Sequence, residues 1–131
     1  TNDTRESPAI DIVADLLEEK AQVAIYDPKV KKESINMELN KFFSNYENNS
    51  NKYLKDSGLG KWTCYEEIDD VFRNADAVVI LTEWDEFKTI DWNKVSMLMS
   101  YPAWVFDTRS IVNEKEIKAS GLNFWILGKS T

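Results

Sequence analysis

Two short apolar runs, Ala77–Leu81 and Ala103–Phe106, constrain this chain more than any other feature. Each stops abruptly at polar residues: the first at Thr82-Glu83-Trp84-Asp85, the second at Asp107-Thr108-Arg109. A run that is apolar at every position predicts a strand covered on both faces, as in a parallel sheet flanked by helices. Between the runs, Trp92–Met99 has helical spacing, with Trp92, Val95 and Met99 inward, and Pro102 stops it. Polar residues just past the carboxyl ends of such strands lie where open α/β sheets bind ligands. The stretch 76–109 is therefore expected to carry both the fold and the site.

The rest of the chain continues the alternation. Ala9, Ile12, Val13, Leu16 and Leu17 recur at helical spacing after Ser7-Pro8, which predicts a helix over Pro8–Lys20 with Ser7 as its N-cap. Gln22–Tyr26 is a β-rich run closed by Asp27-Pro28. Val30–Tyr46 reads as a helix with Ile35, Leu39, Phe42 and Phe43 on one side, and the polar Asn48–Lys61 as a long loop or insertion. Then come a short strand at Lys61–Tyr65 and a helix at Glu66–Arg73, and a turn or short helix at Phe87–Ile90. A helix at Glu114–Ala119 and a strand at Asn123–Leu127 close the order. Alternation of this kind means an α/β domain with a mainly parallel sheet. A helix followed at once by a strand is half of a crossover unit, so a first strand is expected before Thr1 and the chain reads as a piece of something longer.

Composition narrows the function. Of 131 residues, 43% are hydrophobic and 30% charged, which fits a single globular domain. The net charge of −7 argues against a nucleic-acid or membrane-surface binder, because phosphate backbones need clustered Lys and Arg. A small phosphorylated ligand needs only one or two well-placed cations. The apolar runs are too short to span a bilayer. The opening TNDTRESP has no basic n-region or apolar h-region and reads as lacking a signal peptide. On that reading the glycosylation sequons at Asn2 and Asn48 are chance matches. The single Cys64 fits a reducing, cytoplasmic compartment, and the absence of His removes common zinc sites and the usual general base.

Candidate residues each have a plainer reading beside the functional one. Arg109, just past the second run, is either a two-pronged cation for a phosphate or carboxylate, or a surface Arg paired with Asp107. Arg5, just before Ser7, either helps a helix N-terminus hold an anion or offsets Asp3 and Glu6. Trp84 is a pocket wall or core. Glu83, Asp85 and Glu86 are a carboxylate pair or a solvated acidic turn, with the turn preferred. Cys64, in a strand and without a His partner, reads as an inert thiol, not a nucleophile.

Four motifs in order carry a resemblance: Asp3-Thr4-Arg5-Glu6-Ser7-Pro8, Tyr26-Asp27-Pro28, Thr82-Glu83-Trp84 and Phe106-Asp107-Thr108-Arg109. Together they resemble the C-terminal, UDP-binding domain of the UDP-glucose 6-dehydrogenase (UDP-glucose/GDP-mannose dehydrogenase) family, over nearly all of 1–131 except a variable insertion at about 36–61. The resemblance implies a three-layer Rossmann-like domain and a full enzyme that oxidises the C6 hydroxyl of UDP-glucose to a carboxylate with two NAD⁺. It implies that Arg109 contacts the substrate and Arg5 contacts NAD, and that both face one edge of the sheet. It also implies that an N-terminal dehydrogenase domain and a central helix, absent here, are partners. They carry the catalytic Cys and most of the NAD site, so this chain alone is not expected to turn over. Homo-oligomerisation is expected only of the full enzyme. A sister enzyme acting on GDP-mannose or a UDP-N-acetyl sugar, or a non-catalytic Rossmann-like binding module, are the alternatives.

Overall fold

In the computed structural model, which describes residues 8–50 and 59–127, the chain divides into two units, Thr1–Glu66 and Glu67–Thr131. Ser7, Arg5 and most of the expected loop, residues 51–58, lie outside the described residues.

The first unit opens with helix α1, Pro8–Glu18. Its inward stripe is Ile10, Val13, Ala14 and Leu17, a spacing of three and four residues that keeps one face on the core. This corrects the expected stripe: Ala9 and Ile12 are only partly covered and Leu16 is 37% exposed, whereas Leu17 is 2% exposed. Both sets satisfy helical periodicity because the apolar arc is wide, and only the position of the neighbouring strands selects between them. The helix ends in a Schellman turn. Lys20 takes φ 67°, its N–H donates to the Leu17 carbonyl at 3.0 Å, and the Ala21 N–H donates to that of Leu16 at 3.0 Å.

Strand β1, Gln22–Ile25, follows directly and pairs in parallel with β2, Lys61–Cys64, Gln22 opposite Lys61 and Ile25 opposite Cys64. Between them runs α2, Lys32–Ser50. The helix continues beyond Tyr46 into residues expected to be loop, since propagation costs little once a turn exists. Ahead of it the Asp27 carboxylate accepts the N–H groups of Lys29 at 2.8 Å and Val30 at 3.1 Å, which folds the chain tightly around Pro28. Val23, Ile25, Trp62 and Cys64 pack on a core of Ile10, Val13, Ala14, Leu17, Ile35 and Leu39, with Phe42 and Phe43 beside it. Gln22, Ala24, Lys61 and Thr63 lie on the opposite, exposed side.

The second unit holds α3, Ile68–Phe72; β3, Ala77–Ile80; a 3-10 turn, Asp85–Thr89; α4, Trp92–Leu98; β4, Trp104–Asp107; α5, Glu114–Ala119; and β5, Asn123–Ile126. Asp91 caps α4 by accepting the Lys94 N–H at 3.3 Å, and Asn113 caps α5 by accepting that of Glu116 at 3.2 Å. The strands lie in the order β3-β4-β5, all parallel, with Ile80, Asp107 and Ile126 in one row at the carboxyl end. Val105, Ile117, Val95 and Trp92 are nearly or fully buried.

Parallel pairing and the α/β order agree with expectation, but the strands are not covered on both faces. Val79 is 41% and Trp125 45% exposed, on the side where Trp104 stacks on Phe106 at 5.7 Å and Phe106 meets Trp125 at 6.1 Å. Among the described residues this face of the sheet is thus only partly covered, the aromatic row shielding itself in part by lateral contact. A second difference is a one-residue shift: the strand expected at Ala103–Phe106 runs to Asp107, so a carboxylate sits inside the sheet.

Gly60 marks the tightest approach in the first unit. Its N–H donates to the Leu17 carbonyl at 2.7 Å, and a Cβ there would fall 1.9 Å from the Ala21 carbonyl oxygen. Backbone cannot move aside as a side-chain end can, so the start of β2 would be forced off the α1–β1 turn. Gly60→Ala is expected to cost about 1–3 kcal/mol, read as a lowered urea midpoint with an unchanged slope.

Candidate functional site

The carboxyl ends of β3 and β4 bring together the two polar stretches that follow the apolar runs. Asp107 is the anchor. It is 0% exposed, the only fully buried charged residue among those described. Its Oδ1 accepts the N–H groups of Arg109 at 2.8 Å and Ser110 at 2.9 Å. Its Oδ2 accepts those of Ile111 at 2.9 Å and Val112 at 3.0 Å. Four amide donors surround one carboxylate, which replaces the water it lost on burial and wraps residues 109–112 around it. Ser110 enters the left-handed region, φ 59°, to complete that wrap.

Thr108 ties the neighbouring strand in. Its N–H donates to the Ile80 carbonyl at 3.2 Å and its hydroxyl to the same oxygen at 2.6 Å. The ends of β3 and β4 are thereby held side by side just past their last paired residues. Glu83, three residues beyond Ile80, then meets Arg109, two beyond Asp107: the Arg109 Nη2 donates to the Glu83 Oε1. The side chains are 44% and 55% exposed, so one face of the guanidinium remains open to solvent.

The plainer reading of Arg109, an ion pair with Asp107, is corrected by this geometry. Asp107 binds the backbone of Arg109, and the guanidinium pairs with Glu83. Of the acidic turn, Asp85 pairs with Lys88 at 3.2 Å and Glu83, Asp85 and Glu86 are all exposed, as a solvated turn requires. Trp84 is largely packed, and its indole N–H is buried with no hydrogen-bond partner among the described residues. Arg5 lies outside the described residues. Among the described residues no group of three or more His, Cys, Asp or Glu side chains can hold a metal ion, and no helix is long and apolar enough to cross a membrane.

A separate cleft of about 170 Å³ is lined by Ile68, Phe72, Val95, Asp69, Asp91 and Lys94, among others. Its ammonium is already paired, Lys94 to Asp69 at 2.6 Å, and carboxylates outnumber it, so it repels an anionic ligand.

Sequence reasoning named Arg109 but missed the work of Asp107 and Glu83. A signal existed: an Asp that ends an apolar run, followed by several residues with no helix or strand pattern, is placed to collect their backbone donors.

Cys64 sits in β2 opposite Ile25, partly buried. Burial pushes its thiol above the ordinary value, with Asp27 and Glu33 adding to the rise and Lys32 opposing it. That favours the unreactive thiol form. Because the native thiol holds its proton more tightly than the unfolded one, its contribution to stability is present below the ordinary value of 9.0 and is lost as pH climbs through the raised native value.

Two expectations follow. Asp107→Asn keeps one acceptor and turns an NH₂ toward donors it cannot bond, and is expected to cost about 2–4 kcal/mol in chemical denaturation. Alkylation of native Cys64 by iodoacetamide is expected to be slow at pH 7 and to accelerate once urea unfolds the chain.

Comparison with known proteins now bears on the site. The sequence profile described as "UDP-glucose/GDP-mannose dehydrogenase family, UDP binding domain" matches residues 1–114. UDP-glucose 6-dehydrogenase 4 of Arabidopsis thaliana is 38% identical over 134 residues, covering 98% of this chain and 27% of its own length. UDP-glucose 6-dehydrogenase 1 of Glycine max is 40% identical over 135 residues, with the same two coverages of 98% and 27%. The chain thus spans about a quarter of the length of these relatives. A solved structure, a UDP-D-ManNAc dehydrogenase from Pyrococcus horikoshii, superposes with a TM-score of 0.50 at 18% identity, over 92% of this chain and 28% of that one, a likeness of fold alone.

Proposed function

This chain belongs to the UDP-glucose/GDP-mannose dehydrogenase family, as its UDP-binding domain, and from that premise we propose that it binds the UDP moiety of UDP-glucose through Arg109. The carrying observation is that Arg109 leaves a strand end with its backbone fixed by the buried Asp107. A guanidinium so held offers N–H donors to a phosphate at little cost in backbone order. Residues 1–131 act as one domain, with a variable stretch at about 36–61, part of which is helix α2.

The protein of which this domain is part is a cytoplasmic NAD-dependent UDP-glucose 6-dehydrogenase that makes UDP-glucuronate. The identities of 38% and 40% to plant enzymes of that name favour UDP-glucose over GDP-mannose or a UDP-N-acetyl sugar. NAD would accept hydride from the sugar C6. NAD is assigned mainly to an N-terminal domain outside this chain, with Arg5 as the local contact. The catalytic Cys belongs there too. What this chain contributes is position: the uridine diphosphate is gripped here, which orients the sugar toward groups elsewhere.

In the full-length protein, Arg109→Ala is expected to weaken UDP-glucose binding by about 2–3 kcal/mol, roughly thirty- to a hundred-fold, and Arg109→Lys to recover only part of it. Arg5→Ala is expected to act on NAD instead. Calorimetric titration of each ligand into folded variants decides it; intact UDP-glucose affinity in Arg109→Ala would show the assignment to be wrong.

A further inference from the structure

We propose that Glu83 is an internal placeholder for the ligand's diphosphate: it occupies Arg109 in the empty site and must yield when the nucleotide arrives. The inference rests on the reading of Arg109 as the phosphate-binding cation.

The geometry leads there in steps. The last paired residues of β3 and β4 are Ile80 and Asp107. Thr108 clamps the two strand ends by donating twice to the Ile80 carbonyl. Glu83 therefore emerges from β3 beside Arg109 and not at random along the surface. Its Oε1 takes the Nη2 of Arg109, a terminal nitrogen of the guanidinium fork. A phosphate that engages the fork with two parallel N–H donors competes for that nitrogen. It also approaches a carboxylate of like charge within a few ångströms. Ligand and Glu83 thus exclude one another.

The pair is only half-buried, 44% and 55% exposed, so its hold is weak. A weak hold suits a placeholder. It keeps a long, flexible side chain near its working position, and it gives way to a polyanion that brings further contacts. An isolated inorganic phosphate brings none and is held off. The site is thereby tuned to nucleoside diphosphates over small free anions.

The test is a double-mutant cycle on UDP affinity in the full-length protein, using Glu83→Gln, Arg109→Ala and the combined variant. Gln keeps the shape of Glu and removes its charge, and thermal melts check that each variant is folded. Glu83→Gln is expected to bind UDP about three- to fivefold more tightly at low salt. The gain is expected to shrink in 0.5 M NaCl and to vanish in the Arg109→Ala background. Glu83→Ala, as a second variant, is expected to move affinity in the same direction. Unchanged or weaker UDP binding by both Glu83 variants overturns the proposal while leaving the role of Arg109 intact. A gain that survives removal of Arg109 overturns it too, since Glu83 would then act on the ligand without displacing anything. UDP binding by Arg109→Ala at wild-type strength would remove the underlying reading, and this one with it.

Discussion

The buried carboxylate of Asp107 is the interaction on which the carboxyl edge of the second unit depends. A charge with no exposure to water is tolerated only when its oxygens are fully engaged, and four consecutive amides do this. The same residue serves three neighbours at once. Its backbone lies in register with Ile80 of β3 and Ile126 of β5, its carbonyl accepts the Leu127 N–H at 3.0 Å, and its side chain shapes the loop that carries Arg109. The backbone of Arg109, the proposed phosphate-binding cation, is thus set by an anion beneath it. Removing the lower charge would loosen the upper one even though the two side chains do not touch as an ion pair.

The same arrangement is how an acidic chain would offer the proposed phosphate site. With a net charge of −7, no broad positive field attracts the ligand. On the proposed reading, selectivity comes from one guanidinium at short range, held by its backbone and paired with Glu83. The indole N–H of Trp84, next to Glu83 in sequence, is buried and has no hydrogen-bond partner among the described residues. A strand end thus concentrates a buried anion, an exposed ion pair and an orphan donor within a few residues, while α4 and α5 close with ordinary caps.

The aromatic row of Trp104, Phe106 and Trp125 shows the other side of the same sheet. Opposite it, Val105 and Ile117 are fully buried. Period-two geometry forces this division, since adjacent residues of a strand point to opposite faces. An apolar run therefore does not report how many faces are covered. It reports only that both are apolar.

By itself the sequence determined the alternation of helices and strands, the parallel pairing and most boundaries to within a residue or two. Those follow from local signals: spacing of apolar residues, the Ser7-Pro8 helix start, the breaks at Pro28 and Pro102, and the polar stops after each run. It also singled out Arg109 as a candidate, because it lies just past the carboxyl end of a strand where open α/β sheets bind ligands, although a surface ion pair explained it as well. Three things were decided by tertiary structure alone. Leu17 is buried and Leu16 is not, because the core lies to one side of a wide apolar arc. Asp107 belongs to the sheet, because the register of three strands, not the composition of one, fixes where β4 ends. Glu83 meets Arg109 across 26 residues of chain, because parallel strands return to the same edge after a crossover. Each is a matter of which surfaces meet in space, and a linear pattern carries no record of that.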